Sequence, residues 1–419
     1  MNNTGECREK IYSDFRLVSV HLGIGLIGAD HMIDINDACA LEHLLDLLKI
    51  PGLSGQEGDV AAEVKKKLRA AGCKSSWIQE DNVHQKLGRG FETGNLIVRI
   101  PGSMKTGMRL FSGHMDTVPL CRGAEPVRRG GRIVARGDTA LGADNRTAVA
   151  CLLVLIETIL KARIPHPPIV LLFTIAEEIG LLGSKHVRIR DLGHPDMGFN
   201  IDSGSPEKLI TGAIGASRWT ADVIGRSAHA GVQPEDGISA ILIASRAIEE
   251  VADRGFFGKV VKGRKKGTSN VGSIYGGEAT NQVTDRVRLT GECRGHNSAF
   301  VDTIVEAYRR AFTRAAESIR NATGKTGQVR FKAVHDYDAF ALKKSDPVVQ
   351  FALRTAKSIG IQATPDTVDG GLDANYLNKK GIPTVTLGAG QHNPHTVDEY
   401  VDIREYLDGC RLALALATA

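Results

Sequence analysis

The sequence predicts an α/β fold, in which a mainly parallel sheet carries helices on both faces and a second, α+β domain is inserted. A chain of 419 residues is too long for one ordinary hydrophobic core, which favours two domains. Residues 168–173 form a short, β-branched apolar run, as is typical of a parallel strand buried on both faces. From about residue 210 the pattern changes to that of an α+β domain with its own sheet. Its predicted strands are residues 217–224, 269–275 and 281–292, and its predicted helices are residues 237–251 and 299–319.

We therefore expect residues 36–210 and 329–419 to form the first domain and residues 211–328 to form the inserted domain. Residues 1–35 are an extension of unclear structure. Within it, residues 17–29 are mildly apolar but too short to cross a bilayer, and no leader cleavage pattern is clear. We accordingly expect a cytoplasmic protein that has no membrane partner.

Composition and charge exclude several classes of partner and site. The formal net charge is only +5, Lys and Arg are dispersed, and aromatic residues make up 5% of the chain, so nucleic acid is not an expected partner. The seven cysteines are scattered, and no Cys-x-x-Cys pair occurs. This pattern favours a reducing compartment and argues against both a disulfide framework and a thiolate zinc site. The basic run at residues 262–266 is expected to be a solvated loop.

The first domain begins with two predicted helices. Asn36 or Asp37 can cap a helix whose leucines recur at helical spacing and which stops before Pro51. Ser54 and Glu57 have the spacing of a capping box, in which the serine oxygen accepts a backbone N–H of the first turn. We therefore expect Ser54 to begin a second helix.

Acids and histidines recur where predicted strands of the first domain end. Residues 109–112 lead into His114 and Asp116, whose side chains share one face of the extended backbone. Asp116 either orients the His114 ring or is itself a ligand. Ligands collect outside the carboxyl ends of strands in an open α/β sheet, so these positions favour chemistry. Other predicted strand ends of this domain are followed by Glu177, Glu178, Asp202, His392 and His395.

The pair Glu177 and Glu178 is the centre of this prediction. Adjacent carboxylates repel each other, and without a cation one of them should hold its proton. A metal ion removes that conflict by taking one carboxylate as a ligand and leaving the other to handle protons. Asp144 stands before an almost wholly apolar helix, residues 148–160, where the helix dipole favours negative charge. It either joins the metal site or only caps the helix.

Five short motifs are specific as a set. They are Gly-His-Met-Asp-Thr-Val at residues 113–118, Leu-Gly-Ala-Asp-Asn at 141–145, Ala-Glu-Glu-Ile-Gly at 176–180, Ile-Asp-Ser-Gly at 201–204 and His-Thr-Val-Asp-Glu at 395–399. With these motifs the chain resembles, from about Leu41 onward, the peptidase T branch of the co-catalytic zinc aminopeptidase, carboxypeptidase and aminoacylase superfamily.

The resemblance implies a centre of two divalent metal ions. The implied ligands are His114, Asp144, Glu178, Asp202 and His395, with Asp144 as the bridge between the pair His114 and Asp202 and the pair Glu178 and His395. Glu177 would be the general base, and Asp116 would orient His114. The family also implies a cis peptide between Asp144 and Asn145. Histidine and carboxylate ligands without thiolate favour zinc and also suit cobalt or manganese, in a hydrolytic site.

The inserted domain carries further residues that the resemblance makes functional. Residues 225–231, Gly-Arg-Ser-Ala-His-Ala-Gly, resemble a dimerisation motif whose histidine, His229 in this chain, reaches the active site of a partner subunit. The resemblance thus implies a homodimer formed through this domain. Asn281 and Arg294 match positions that hold the terminal carboxylate of the substrate. One departure is Asp369, which stands where peptidase T has the arginine of Arg-Gly-Gly-Thr-Asp and argues against strict tripeptide specificity.

The sequence therefore predicts a two-metal exopeptidase, and above all an aminopeptidase that acts on short peptides. A carboxypeptidase or an N-acyl amino acid deacylase would share the metal site and differ in the specificity pocket. A non-catalytic binding protein that keeps the fold is the alternative from another class, and the intact Glu177 argues against it. His392, three residues before His395, is expected to contact the metal ligands or the substrate.

Overall fold

The computed structural model describes residues 34–419, so the extension expected over residues 1–35 falls almost wholly outside the described part of the chain. Within the described part, the strands are β1 (Ile78–Glu80), β2 (Leu96–Ile100), β3 (Arg109–His114), β4 (Pro126–Arg129), β5 (Arg132–Ala135), β6 (Ile169–Thr174), β7 (Met197–Ile201), β8 (Lys208–Ala213), β9 (Gly215–Ile224), β10 (Gly258–Lys262), β11 (Lys265–Gly276), β12 (Arg286–Gly295), β13 (Gln328–Tyr337), β14 (Phe340–Ala341), β15 (Thr364–Val368), β16 (Thr384–Leu387), β17 (Gln391–His392) and β18 (Tyr400–Asp402). The helices are α1 (Asp37–Leu48), α2 (Gly58–Ala70), α3 (Val83–Leu87), α4 (Ala143–Ala162), α5 (Leu182–His186), α6 (Ile189–Leu192), α7 (Ala240–Asp253), α8 (Ser298–Ser318), α9 (Pro347–Ser358), α10 (Asp373–Lys379) and α11 (Ile403–Thr418).

A mixed sheet forms the centre of the first domain. In residues 34–419 it has nine strands, in the order β1-β2-β6-β3-β7-β16-β8-β14 with β15 beside β8. The central strands β6, β3, β7 and β16 are parallel, which confirms the predicted parallel sheet at its centre. The pairs β2 with β6 and β16 with β8 are antiparallel. The pattern of apolar residues does not reveal whether two strands pair in parallel or antiparallel. The sequence therefore did not predict these antiparallel pairs.

Strand β6 explains why this sheet needs helices on both faces. All six of its residues are buried, and side chains alternate between the two faces of a strand. Ile169, Leu171 and Phe173 pack in the core that includes the apolar residues of α4. Val170 and Leu172 face the opposite core, to which α6 and α10 contribute. The predicted arrangement of helices on both faces is therefore confirmed.

The inserted domain is built on an antiparallel sheet. Its strand order, within the described residues, is β10-β11-β12-β9-β13. The helices α7 and α8 pack on this sheet around Trp219. The centroid of the Trp219 ring lies 4.7 Å from that of Tyr308 on α8 and 5.5 Å from that of Phe331 on β13. The inserted domain thus has its own hydrophobic core, as the change of pattern predicts.

The limits of the inserted domain differ from the expected residues 211–328. β8 belongs to the large sheet, so the chain enters the inserted domain after Ala213. β13 pairs with β9 of the small sheet, so the chain returns to the first domain between Tyr337 and Phe340 rather than at residue 329. The reason is that alternate residues of β13, Phe331 among them, complete the core beneath α8.

Two local predictions need correction. The basic run at residues 262–266 is a hairpin turn rather than a loop, because Lys262 pairs with Lys265 between β10 and β11; its side chains are exposed, as expected. Ser54 does not cap α2: the N-cap residue is Glu57, whose side chain makes no capping hydrogen bond. The Ser54 hydroxyl donates instead to Oδ2 of Asp116 at 2.6 Å. Ser54 and Glu57 have the spacing of a capping box, but the Ser54 hydroxyl donates its hydrogen bond to the carboxylate of Asp116, which is distant in the sequence.

The first helix begins as predicted, because Oδ1 of Asn36 accepts the backbone N–H of Cys39 at 3.0 Å. In residues 34–419, no helix has the length and apolar character needed to span a bilayer. No disulfide joins any two cysteines of the same range, which are Cys39, Cys73, Cys121, Cys151, Cys293 and Cys410.

Candidate active site

The predicted metal ligands meet in one cavity at the carboxyl ends of the central strands. The cavity has a volume of about 310 Å³. It is lined, among others, by His114, Asp144, Glu177, Glu178, Asp202 and His395. Parallel strands place their carboxyl ends at one edge of a sheet, so residues that follow β3, β6 and β7 come together there. The start of α4 and the loop between β17 and β18 bring the remaining two side chains to the same edge.

Asp144 lies between the two histidines of the cavity. Its Oδ1 is 3.0 Å from Nε2 of His114, and its Oδ2 is 3.5 Å from Nε2 of His395. Nε2 of His395 is also 3.0 Å from Oε1 of Glu178. Nε2 of His114 is 3.9 Å from Oδ1 of Asp202. Asp144 therefore turns one oxygen to each half of the cluster, which is the arrangement expected of a bridging carboxylate.

Asp116 stands behind His114 and is wholly buried. Nδ1 of His114 is 3.1 Å from the carbonyl oxygen of Asp116 and 3.3 Å from its Oδ1. The Asp116 carboxylate also accepts the backbone N–H of Glu177 at 3.0 Å and that of Glu178 at 3.2 Å. With the Ser54 hydroxyl as a further donor, its oxygens are engaged on the side away from the cavity. These contacts favour an orienting role for Asp116 over a ligand role.

The cavity is strongly acidic. Burial raises the pKa of Glu177 and that of Asp202 well above the usual carboxyl range, and repulsion between neighbouring carboxylates adds to the rise. Hydrogen bonds to Asp144 and Glu178 raise the pKa of His395 to about 10. Burying several ionised carboxylates close together costs free energy, and a nearby cation offsets that cost. The site therefore has the electrostatic character of a cation-binding centre.

The donor atoms also fit divalent metal ions. Ligand atoms of His114, Asp144 and Glu178 all lie within 4.8 Å of one another. Imidazole nitrogen and carboxylate oxygen, without thiolate, suit zinc and also cobalt or manganese. A divalent cation would stabilise the ionised form of the carboxylates whose ionisation burial opposes. The residues of this cavity therefore fit the metal centre that the sequence motifs implied.

The backbone around Asp144 is held by contacts from distant segments. A cis peptide joins Asp144 to Asn145, as the family resemblance implied. The Asn145 side chain donates to the carbonyl of Ile201, at the end of β7, at 2.8 Å. The Glu399 carboxylate accepts the backbone N–H of Gly142 at 2.8 Å and that of Asp144 at 3.0 Å. The position of Asp144 thus depends on both β7 and the loop that carries His395.

Sequence reasoning did not single out three buried polar residues that support the cluster. One is Glu399, whose only signal is its place at the end of the fifth motif. Another is Asp373, which accepts a hydrogen bond from the hydroxyl of Thr174 at the end of β6. The third is Gln391, which donates to Oδ1 of Asp202 at 3.2 Å and has no motif to mark it. Each hydrogen-bonds to a predicted ligand or to the strand end next to one.

The described contacts of His392 are with α11 and β18. Its ring hydrogen-bonds to Glu405 of α11 and stacks on Tyr400, with 4.8 Å between ring centroids. It is not among the described residues that line the cavity, whereas His395 is. His395 has a positive φ of 64°, and its side chain, although half exposed, contacts Glu178. Of the two histidines on this loop, the structure therefore brings His395 to the site.

The predicted residues of the inserted domain stay apart from the cavity within one chain. His229 is exposed on a turn, where its Nδ1 accepts the N–H of Gly231 at 3.1 Å. Asn281 belongs to the same corner, because its carbonyl accepts the N–H of Ala230 at 2.8 Å. Arg294 forms an ion pair with Glu292, with 2.9 Å between Nε and Oε1. The described residues that line the cavity all come from the first domain.

Asp369 links the two domains at the rim of the cavity. Its Oδ1 is 2.9 Å from Nε2 of His296, which directly follows β12 of the inserted domain. Residues on both sides of Asp369, namely Val368 and Gly370, line the cavity. Asp369 thus lies between two residues that line the cavity.

Similarity to known proteins extends over most of the chain. The model of peptidase family M20/M25/M40 matches residues 110–419. The YqjE protein of Bacillus subtilis is 32% identical over 383 residues, which are 91% of this chain and 98% of that protein.

Two solved structures have the same fold. Aminopeptidase PepT from Bacillus cereus superposes with a TM-score of 0.79 at 30% identity, covering 92% of this chain and 98% of that one. A tripeptidase from Staphylococcus aureus superposes with a TM-score of 0.81 at 30% identity and the same coverage of both chains.

Proposed function

Because the chain belongs to peptidase family M20/M25/M40, and is thus a metallopeptidase, we propose that it is a two-metal aminopeptidase that removes the N-terminal residue of short peptides. The observation that carries this proposal is the position of Asp144 between His114 and His395. On this proposal His114 and Asp202 would hold one ion, Glu178 and His395 would hold the other, and Asp144 would be a ligand of both. Zinc is the preferred metal, and cobalt or manganese would suit the same donors.

Glu177 is the proposed general base. Its carboxylate lines the cavity, and no residue within 34–419 makes a hydrogen bond to it, while its backbone N–H is held by Asp116. The backbone contact with Asp116 therefore fixes the position of Glu177, while its carboxylate can take a proton from water and pass it to the leaving amine. Divalent ions, when bound, would polarise the scissile carbonyl and lower the pKa of that water. Asp116 would keep His114, Glu177 and Glu178 in their relative positions.

His229 is proposed to act on the active site of a partner subunit. Its ring is exposed and lies outside the cavity of its own chain, which supports this role. A symmetric pairing of two inserted domains would place each His229 over the other subunit's cavity. There the imidazole would donate a hydrogen bond to the developing oxyanion. The proposed assembly is thus a homodimer formed through the inserted domain.

Asn281 and Arg294 are proposed to hold the terminal carboxylate of the peptide. Arg294 would first have to exchange its ion pair with Glu292 for the carboxylate of the substrate. Asp369 makes the rim of the cavity acidic where peptidase T has an arginine, so we expect a length preference less strict than that of a tripeptidase.

A small panel of substrates tests this proposal. Metal-loaded enzyme is incubated with dipeptides, tripeptides, N-blocked peptides and N-acylated amino acids, and free amino acids are measured. We expect cleavage of peptides with a free amino terminus. A carboxypeptidase would instead release the last residue of N-blocked peptides, and a deacylase would cleave only acylated amino acids. Either of these results would replace the proposed activity while leaving the metal centre intact.

A further inference from the structure

A second group of side chains that could hold a metal ion includes a residue near the C-terminal end of α4. Cys39 and His43 are one turn apart on α1, and Glu157 faces them from α4. Sγ of Cys39 is 3.8 Å from Nε2 of His43 and 3.5 Å from Oε2 of Glu157. Nε2 of His43 is 2.6 Å from Oε2 of Glu157. We propose that these three side chains bind a divalent metal ion, with zinc preferred, at a site separate from the active site.

The separations between the donor atoms fit one tetrahedral ion. Zinc bonds of about 2.3 Å to sulfur and about 2.0–2.1 Å to nitrogen or oxygen place neighbouring donors roughly 3.3–3.6 Å apart. The two distances from the Cys39 sulfur are within a few tenths of an ångström of that range. The shorter contact between His43 and Glu157 is a hydrogen bond, and a cation would replace its proton and that of the thiol. Binding would therefore release protons.

Glu157 supplies a negatively charged donor to this group. The hydrogen bond from His43, supported by Lys161, lowers the pKa of Glu157 to about 2 although burial opposes this. The carboxylate is thus ionised at neutral pH. Lys161 pairs with Oε1, whereas Oε2 is the oxygen that faces the thiol and the imidazole. Oε2 of Glu157 is therefore the oxygen that would bind the ion.

A cavity adjoins this group and leaves room for a fourth ligand. It has a volume of about 210 Å³, and its lining includes Cys39, Glu157 and Asp34. Zinc in proteins is almost always four-coordinate in structural sites, so a fourth donor would complete the set of three side chains. The thiolate makes this site softer than the His and carboxylate cluster of the active site. The two sites therefore differ in chemistry as well as in position.

The position of the site predicts what the ion would do. Glu157 and Asp144 are on the same helix, and 13 residues at about 1.5 Å each place them roughly 20 Å apart. A metal ion held by Cys39, His43 and Glu157 would connect α1 to α4, whose first turn carries Asp144. It would stabilise the folded chain against heat without taking part in the reaction.

The sequence pattern gave the opposite expectation, because no Cys-x-x-Cys pair occurs. The two donors of α1 are four residues apart and face the same side of the helix. The third is 114 residues beyond His43 and is brought in only by the packing of α1 on α4.

Cobalt substitution tests the proposal. The purified full chain is freed of metal and reconstituted with Co²⁺, and the near-ultraviolet thiolate-to-cobalt charge-transfer band is recorded. We expect the band in wild type, its loss in Cys39→Ser and its weakening in His43→Gln. Bound metal per chain should fall by one ion in Cys39→Ser. Peptidase activity and the far-ultraviolet circular dichroism spectrum of these variants should match wild type, which shows that they fold.

Matched controls separate this site from the active site. Cys121→Ser removes a thiol that lies near Glu399 and Glu178, and Cys7→Ser removes the thiol outside the described residues; both variants should keep the band. Glu178→Gln, which should lose an active-site ion, should also keep it, so the test does not depend on the proposed peptidase function. Absence of the band in wild type, or a band that depends on Cys121 or Cys7 instead of Cys39, would overturn the proposal.

Discussion

The Oε1 atom of Glu399 accepts the backbone N–H of Asp144 at 3.0 Å, although the two residues are 255 positions apart. Its other oxygen accepts the N–H of Gly142, so the buried carboxylate serves two donors at once. An amide side chain can accept from one of them only and would turn its own N–H₂ toward the other. Substitution of Glu399 should therefore disturb the position of the proposed bridging ligand.

Glu399→Gln should weaken metal binding by roughly 10–100-fold, as is typical when a residue that supports a ligand is changed. The lost hydrogen bond should also cost ~1–3 kcal/mol of stability. Metal titration of the metal-free protein and thermal unfolding check both effects. Asp398→Asn changes the exposed neighbouring carboxylate and is the control. Equal metal affinity in the two variants would show that Glu399 does not support the centre.

Glu177→Gln and Glu178→Gln should have different effects. Removal of a general base lowers turnover by roughly 10²–10⁴-fold, so Glu177→Gln should retain its metal and lose turnover. Glu178→Gln should lose metal, because Oε1 of Glu178 lies 3.0 Å from His395 among the proposed ligands. Metal content and kcat are measured for both proteins. If the effects are exchanged, the roles assigned to the two glutamates are reversed.

Glu57 predicts a dependence of stability on pH. It is wholly buried, and Oε2 has no hydrogen-bond partner in the described residues. Burial, and after it repulsion from Asp116, raises its pKa from 4.5 to about 7. A group whose pKa is higher in the folded than in the unfolded state contributes its full stabilisation at pH values below the unfolded-state pKa. For Glu57 this contribution is lost as the pH rises through 7.

Relative to Glu57→Gln, the wild type should therefore lose up to about 3 kcal/mol of unfolding free energy between about pH 5 and about pH 8. Urea unfolding at a series of pH values measures the difference. Glu92→Gln, at an exposed carboxylate of the same region, is the control. A difference between wild type and Glu57→Gln that stays constant with pH would contradict the assigned cause.

His229→Ala should lower turnover by roughly 10²–10³-fold, by analogy with the loss of other oxyanion donors, and leave metal content and folding intact. Mixing this variant with Glu177→Gln protein should restore activity, because a hybrid dimer would contain one complete site. Subunit exchange is confirmed first by mass spectrometry of the mixed species. Verified hybrids that stay inactive, or an active monomer, would show that His229 does not act across subunits.

Much of the site could be predicted because its signals are local. His114, Glu177 and Asp202 each follow a strand, and the carboxyl ends of parallel strands meet whatever the details of the loops. Other features depend on contacts between distant segments. Ser54 has the spacing of a helix cap, yet its hydroxyl bonds to Asp116 because the fold places that buried carboxylate beside it.

The domain limits illustrate the same difference. The expected limits place residues 329–337 in the first domain, whereas β13 belongs to the sheet of the inserted domain. Its true partner, β9, lies about a hundred residues earlier, and Ala221 pairs with Phe331 across the two strands. Likewise, no sequence pattern around Cys39 predicts its contact with Glu157. The two residues come together only because α1 packs on α4.

Metal reconstitution tests the central claim most directly. Cys39→Ser protein, which lacks a donor of the proposed second site, is freed of metal and titrated with zinc while hydrolysis of a free-amine tripeptide is followed. We predict no hydrolysis without metal and full activity at two zinc ions per chain, because the ligand set around Asp144 is large and acidic enough for two. Full activity in the metal-free protein, or saturation at a single ion, would contradict the account.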